Sequence, residues 1–204
     1  LEDSGTNNAL HEDLSFCLDC QKGMYASPTG QKQCKICEKG EYQDSISSSS
    51  CKSCVAGKSL ADNAGSSSGH DNENDCTTCG SGKYSSSKAA SCTSCVKGKH
   101  LEDAGTSADF HNSESKCKIC VAGKHSPAAA ATCTSCVKGK YLQNEGTVVS
   151  DHDNENDCRI CSSGMYTELS ASSVCSACTA GTFLADNAGS SSGHDNENDC
   201  TTCG

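Results

Sequence analysis

The chain has 204 residues and a net charge of −10. Only 25 residues are Val, Ile, Leu, Met or Phe and Trp is absent, too little apolar surface to offset the roughly 1–2 kcal/mol per residue that backbone ordering costs. These numbers exclude a conventional packed core. The acidic balance disfavours nucleic acid, which needs clustered Lys and Arg. No apolar run reaches the roughly 18–20 residues of a membrane helix.

The missing constraint is cysteine. Twenty cysteines, about a tenth of the chain, point to a disulfide scaffold in an oxidising compartment, secreted or at a cell surface. Each bond closing a loop of about 15 residues is worth about 3 kcal/mol in the chain-entropy model. No signal peptide is visible, and the chain opens in a polar stretch, Leu1-Glu2-Asp3-Ser4-Gly5. It reads as mature protein or as a piece of a longer chain.

In chain order, ten C-x-x-C pairs separate loops of two lengths, short and long. Residues 1–50 hold a partial long loop and two short ones. Long/short repeats follow at 51–91, 92–132 and 133–174, and 175–204 holds a long loop and the start of the next repeat. Such a period is the signature of a repeat array. Each complete loop has Gly three residues after its opening cysteine and usually a ring two residues later, as in Gly23-Met24-Tyr25 and Gly98-Lys99-His100. Ser59 breaks the ring pattern. Gly permits a positive-φ turn, and the ring can cover the neighbouring disulfide. Long loops add a leucine (Leu1, Leu60, Leu101, Leu142, Leu184) and a histidine (His11, His70, His111, His152, His194). The block Leu60–Gly80 recurs letter for letter at Leu184–Gly204. No segment has helical apolar periodicity, so short strands and turns are expected, with polar-tipped hairpins in the short loops.

The cysteines admit two readings. Five four-cysteine zinc sites would use zinc-ribbon spacing, but pairing from the start puts a short loop in the first site and long loops in the rest. A sequential ladder needs no frame, because the second cysteine of each pair bonds the first of the next. It predicts Cys20–Cys34, Cys37–Cys51, Cys54–Cys76, Cys79–Cys92, Cys95–Cys117, Cys120–Cys133, Cys136–Cys158, Cys161–Cys175 and Cys178–Cys200. Cys17 and Cys203 are left for bonds to further segments, the expectation for a chain cut from a longer repetitive polypeptide. A thiolate store and a thioredoxin-like redox role for C-x-x-C are weaker alternatives.

The pattern Cys-x-x-Cys-x-x-Gly-x-Tyr, followed by Ser-rich sequence and another Cys-x-x-Cys, resembles the ephrin-receptor-like cysteine-rich repeats. It is more distantly similar to tumour-necrosis-factor-receptor modules. The resemblance spans nearly the whole chain and is strongest from Cys79 to Cys95, CGSGKYSSSKAASCTSC. It implies extracellular rods of small disulfide-closed loops, and it supports the sequential pairing. The chain departs from the family at Val55, Val96 and Val121, where Pro is common, and in its long His-bearing loops. Receptor ligand binding therefore does not carry over.

Three residue sets are candidate sites. The acidic runs offer side-chain oxygens to a hard cation such as Ca²⁺. They comprise Asp71, Glu73 and Asp75; Asp151, Asp153, Glu155 and Asp157; and Asp195, Glu197 and Asp199. The bland reading is a solvated turn. The long-loop histidines read first as rings hydrogen-bonded to loop backbone, then as metal ligands. Ser and Thr make up 48 residues and no N-x-[ST] sequon exists, so O-glycosylation is weighed at the short-loop tips: Ser47, Ser48, Ser49, Ser50, Ser85, Ser86 and Ser87.

The expectation is a small disulfide-rich fold: an elongated tandem array of short β-hairpin loops stapled by disulfides, without a conventional hydrophobic core. The expected role is structural, in an extracellular glycosylated fibril or surface coat, with no catalysis and no cofactor beyond possible Ca²⁺. Expected partners are further copies or further chain, and attached glycans. The alternative is a receptor or adhesin stalk that binds a protein or glycan.

Overall fold

The computed structural model describes residues 19–26, 33–62, 65–185 and 189–204. Among them regular structure is limited to nine two-stranded antiparallel hairpins and single 3₁₀ turns. Among the described residues no helix is long and apolar enough to cross a membrane.

Every strand is two residues long, and the C-x-x-C spacing explains why. The two residues between the cysteines form one strand of a hairpin, and the two after the preceding loop's glycine form the other. Lys52–Ser53, between Cys51 and Cys54, pairs with Glu41–Tyr42, which follows Gly40. Thr77–Thr78 pairs with Lys58–Ser59 in the same way. The next rung is also constant: the second cysteine of the pair donates its N–H to the glycine carbonyl, as in Cys54 to Gly40 at 2.8 Å and Cys161 to Gly139 at 2.9 Å. Each hairpin is then closed by a disulfide. Nine bonds run from Cys20–Cys34 to Cys178–Cys200, each joining the second cysteine of one pair to the first of the next. Cα–Cα separations of 5.5–5.9 Å lie in the range that disulfides adopt. The fold is thus a small disulfide-rich tandem array of hairpins.

Burial follows the disulfides. The buried apolar residues are mostly cystines, joined by Leu60, Leu101, Leu142 and Leu184. Tyr42 packs with Cys54, Leu60 and Cys76, and Leu142 with Cys136 and Cys158. Ala26, after Gly23, is half-buried. From Gly40 onward the third residue after the glycine is buried, and its type alternates. It is Leu in long loops and Gln43, Ser85, Ser126 or Thr167 in short ones. The carbonyl of this residue accepts the glycine N–H of the preceding module: Gly40 to Leu60 at 3.0 Å, Gly57 to Ser85 at 3.0 Å, Gly98 to Ser126 at 2.9 Å. Ser85 and Ser126 Oγ donate back to Lys58 and Lys99 carbonyls at 2.8 and 3.0 Å. In these two short loops a hydroxyl thus satisfies backbone where leucine supplies apolar contact in the long ones.

The glycines do two jobs. All nine have φ between 70° and 88°, a region that costs an L-residue free energy. Seven of them also lie against the backbone of the module two further on. A Cβ on Gly82 would collide with the Ala129 carbonyl, and one on Gly123 with that of Ala171.

The chain divides into two compact units. One draws on residues up to Cys79 with Tyr84–Thr93 and Gly105–Ser113, the other on Gly80–Lys83, Ser94–Ala104 and Glu114–Gly204. Each is built from the same modules and the same contacts.

Candidate functional site: histidine clamps, acidic turns and the loop tips

Each described long loop carries two 3₁₀ turns, as at Ser67–Gly69 and Glu73–Asp75. Short polar residues start most of them, because their side chains accept orphan backbone N–H groups. Ser66 accepts from Ser68, and Asn72 from Asn74. Between the two turns sits the histidine, fully buried at His70, His111, His152 and His194.

These histidines are clamps on the preceding short module. His70 Nδ1 is 2.7 Å from the Glu41 carbonyl, His152 Nδ1 is 2.7 Å from that of Lys124, and His194 Nδ1 is 2.8 Å from that of Met165. A carbonyl only accepts, so Nδ1 carries the proton in each. Two residues along the same strand, the histidine carbonyl accepts the N–H of Gln43, Ser85, Ser126 or Thr167 at 2.8–2.9 Å. One residue therefore holds a neighbouring strand at two points. The bonded backbone is 28–29 residues away, not that of the histidine's own loop.

The acidic residues fall into different surroundings. Asp75, Asp157 and Asp199 close capping boxes on the N–H groups of Asn72, Asn154 and Asn196 at 2.9–3.0 Å. Glu155 lies 3.5 Å from Lys140, Asp153 4.0 Å from Lys97 and Glu73 3.9 Å from Lys58. Asp151 accepts from Asn144 Nδ2 at 2.9 Å. Glu197 N–H donates to Glu168 at 3.0 Å. Asp71 and Asp195 are half-buried beside the clamps. Among the described residues no three of these carboxylates converge within ligand distance. The one close group of ligating side chains is His100 with Cys120 and Cys133. Those two sulfurs are bonded to each other and His100 Nδ1 rests 3.1 Å from Cys133 Sγ, so no thiolate is present to ligate a metal.

The loop tips split as well. Ser86 and Ser87 are exposed, but Ser85 is 1% exposed with its Oγ on the Lys58 carbonyl. Ser85 is thus corrected from a glycan-accepting tip to a core position, because the third residue after the glycine turns inward. Ser47 is exposed at φ 55°, with Oγ 2.6 Å from Asp19, and Ser48 Oγ donates to the Ser45 carbonyl at 3.3 Å. Ser49 and Ser50 are exposed. Cys203 is a free, exposed thiol, while Cys17 lies outside the described residues, as do Leu1 and His11.

Residues 23–71 match the family model of the tyrosine-protein kinase ephrin type A/B receptor-like repeats. The match spans the hairpins closed by Cys37–Cys51 and most of the one closed by Cys54–Cys76. Modules beyond residue 71 repeat that geometry, with the same glycine turn, strand pair and sequential disulfide. No curated protein sequence matches the chain. Cysteine-rich repeats of this kind are typical of extracellular domains, with receptor-like or structural roles.

Sequence reasoning missed the buried position three residues after the glycine. Its signal was present, a strict alternation of Leu with a small or amide side chain from Gln43 to Leu184.

Proposed function

We propose that the chain is a structural repeat segment of an extracellular, glycosylated fibril or surface coat, with no catalytic role. The observation that carries this reading is the equivalence of the contacts between modules. The same glycine, histidine and buried-residue bonds recur from one module to the next, and a 21-residue block recurs unchanged at Leu60–Gly80 and Leu184–Gly204. An array held by neighbour contacts extends by adding units, and equivalent surfaces make equivalent contacts along a polymer. Exposed hydroxyls at Ser49, Ser50, Ser86 and Ser87 supply the attachment points for glycans, and the compartment is oxidising.

Electron microscopy and intact-mass analysis of native material test this. Filaments carrying heterogeneous added mass are expected. A monodisperse species at the unmodified mass of 21.0 kDa overturns both the polymer and the coat.

A second reading, a stalk that binds a partner, has one specific observation in its favour. The loop between Cys136 and Cys158 departs from the others, with Gln143-Asn144-Glu145-Gly146-Thr147-Val148-Val149 where the 54–76 loop has Ala61-Asp62-Asn63-Ala64-Gly65-Ser66-Ser67.

A further inference from the structure

The divergent loop borders an open polar groove of about 440 Å³, within the roughly 300–1,000 Å³ span of small-ligand pockets. Tyr141 and Arg159 line one side of it, directly across from each other in the hairpin of Lys140–Tyr141 with Arg159–Ile160. Gln143, Asn144, Asp151 and Asp157 complete the wall. We infer that this groove binds a neutral pyranose unit of a glycan.

The lining differs from that of the 54–76 loop, although the 95–117 hairpin also sets a ring across from a cation, His100 and Lys118. At the same register the 54–76 hairpin pairs Ser59 with Thr77. Ala61 stands there for Gln143, and Gly69 for Asp151. Arg159 is the sole arginine in the chain, and its guanidinium makes no ion pair among the described residues. The change at the wall is a matched one. A Cβ on Gly69 would collide with the Asp62 carboxylate. Here both positions differ, and Asn144 Nδ2 donates to Asp151 Oδ2 at 2.9 Å. Asn144 Oδ1 in turn accepts from the N–H groups of Gly146 and Thr147 at 2.9 and 3.0 Å. Asn144 and Asp151 are therefore held in place before any ligand arrives, which lowers the ordering cost on that side of the site.

The chemistry selects the ligand class. A pyranose has a face of C–H groups and a rim of hydroxyls that both donate and accept. Tyr141 offers a ring beside the groove. Arg159 and the Gln143 amide donate, and the remaining oxygens of Asp151 and Asp157 accept. One guanidinium against two carboxylates disfavours an anionic sugar or a phosphate. A cation is disfavoured because the carboxylates do not converge with a third ligand.

The test is an amide chemical-shift titration of the disulfide-intact chain with methyl glycosides of glucose, galactose, mannose, N-acetylglucosamine and N-acetylgalactosamine, with glucuronate as the anionic control. At least one neutral glycoside should saturate shifts at Tyr141, Gln143 and Arg159, with Kd on the order of 1 mM for so open a site. Tyr141→Ser and Arg159→Thr install the pair that the 54–76 hairpin already carries, so the fold is retained. Each should weaken binding at least about tenfold, roughly 1.4 kcal/mol. The inference is overturned by the absence of saturable shifts up to about 50 mM, far above that scale. It is also overturned by preference for glucuronate, or by unchanged binding in both variants. The titration uses the chain in isolation, so its failure leaves the fibril reading untouched, and loss of filaments in native material leaves the pocket untouched.

Discussion

Replacing His70 with alanine removes a clamp without touching a disulfide. The ring is fully buried and its Nδ1–H serves the half-buried Glu41 carbonyl at 2.7 Å. An acceptor left without its donor costs about 1 kcal/mol at the low end, where water has partial access. The lost ring volume adds about 2 kcal/mol, at the low end for truncating a large buried side chain, because a small module collapses readily. The sum is about 3 kcal/mol, or roughly a hundredfold in local opening at 1.4 kcal/mol per decade. A global melt would blur this, since a linear array opens locally and its disulfides remain closed. Hydrogen exchange of single amides resolves it. The Gln43 N–H, which donates to the His70 carbonyl at 2.8 Å, should exchange about a hundred times faster, while Ser126 N–H, held by His152, keeps its rate. His70→Asn retains a donor near Nδ1 but leaves some space, and should lose only about 1 kcal/mol, roughly fivefold. An unchanged Gln43 rate in the alanine variant, or equal acceleration at Ser126, refutes the clamp.

Gly82→Ala should lower the denaturant midpoint by the equivalent of about 3 kcal/mol, because φ is 70° and the new Cβ meets the Ala129 carbonyl. Gly80→Ala, with nothing within 4 Å, should stay within about 0.5 kcal/mol; equal effects would contradict the packing. The hydrogen bond from Lys52, at 2.6 Å, holds the exposed Asp44 carboxyl below its ordinary value of 3.8. Its stabilisation is therefore present above that value and fades as pH falls through the lower folded one. Carbon NMR should show Asp44 titrating at higher pH in Lys52→Ala. Full reduction should abolish protease resistance, since the apolar clusters are too small to stand alone; resistance that survives thiol exposure would reveal another source of stability. Calcium should leave protease resistance and amide shifts of the acidic turns unchanged, because their aspartates already cap backbone N–H groups; saturable shifts at Asp71–Asp75 would restore the cation reading.

Much of this fold is visible in spacing alone, because a cystine closes a ring between residues only 13–22 positions apart. Frame independence among ten C-x-x-C pairs separates a ladder from zinc sites without any three-dimensional knowledge. The glycine and histidine columns were also legible as positions. Their partners were not. Gly40 faces Lys88, two modules on, and His152 reaches Lys124 in the module before its own, and no local periodicity encodes that register. Ser85 shows the cost. In sequence it opens a polar run, Ser85-Ser86-Ser87-Lys88, and reads as solvent-facing. In the structure the first serine turns inward to serve a carbonyl while the next two face water. The acidic runs are open to two readings for a related reason. Alternating carboxylates look like a ligand set, but a single 3₁₀ turn uses the last of them as its own cap.

The distribution of constraint explains where the sequence is free to change. Cysteine fixes ring closure, glycine fixes the turn and the approach of the module two steps on, histidine fixes the strand before it, and the buried position after the glycine fixes the bond between neighbours. All four lie within or beside the hairpin strands or at the clamp. The stretch between leucine and histidine answers only to its caps, and even a cap is dispensable there: Val148 occupies the N-cap position that Ser66, Ser107 and Ser190 fill elsewhere, with no side-chain bond. A loop that is released from capping but still pinned by Asn144 and His152 keeps its backbone path while its outward side chains vary. In such an array a new surface arises in one module at little cost to its neighbours, and the 136–158 loop is where this chain has used that freedom.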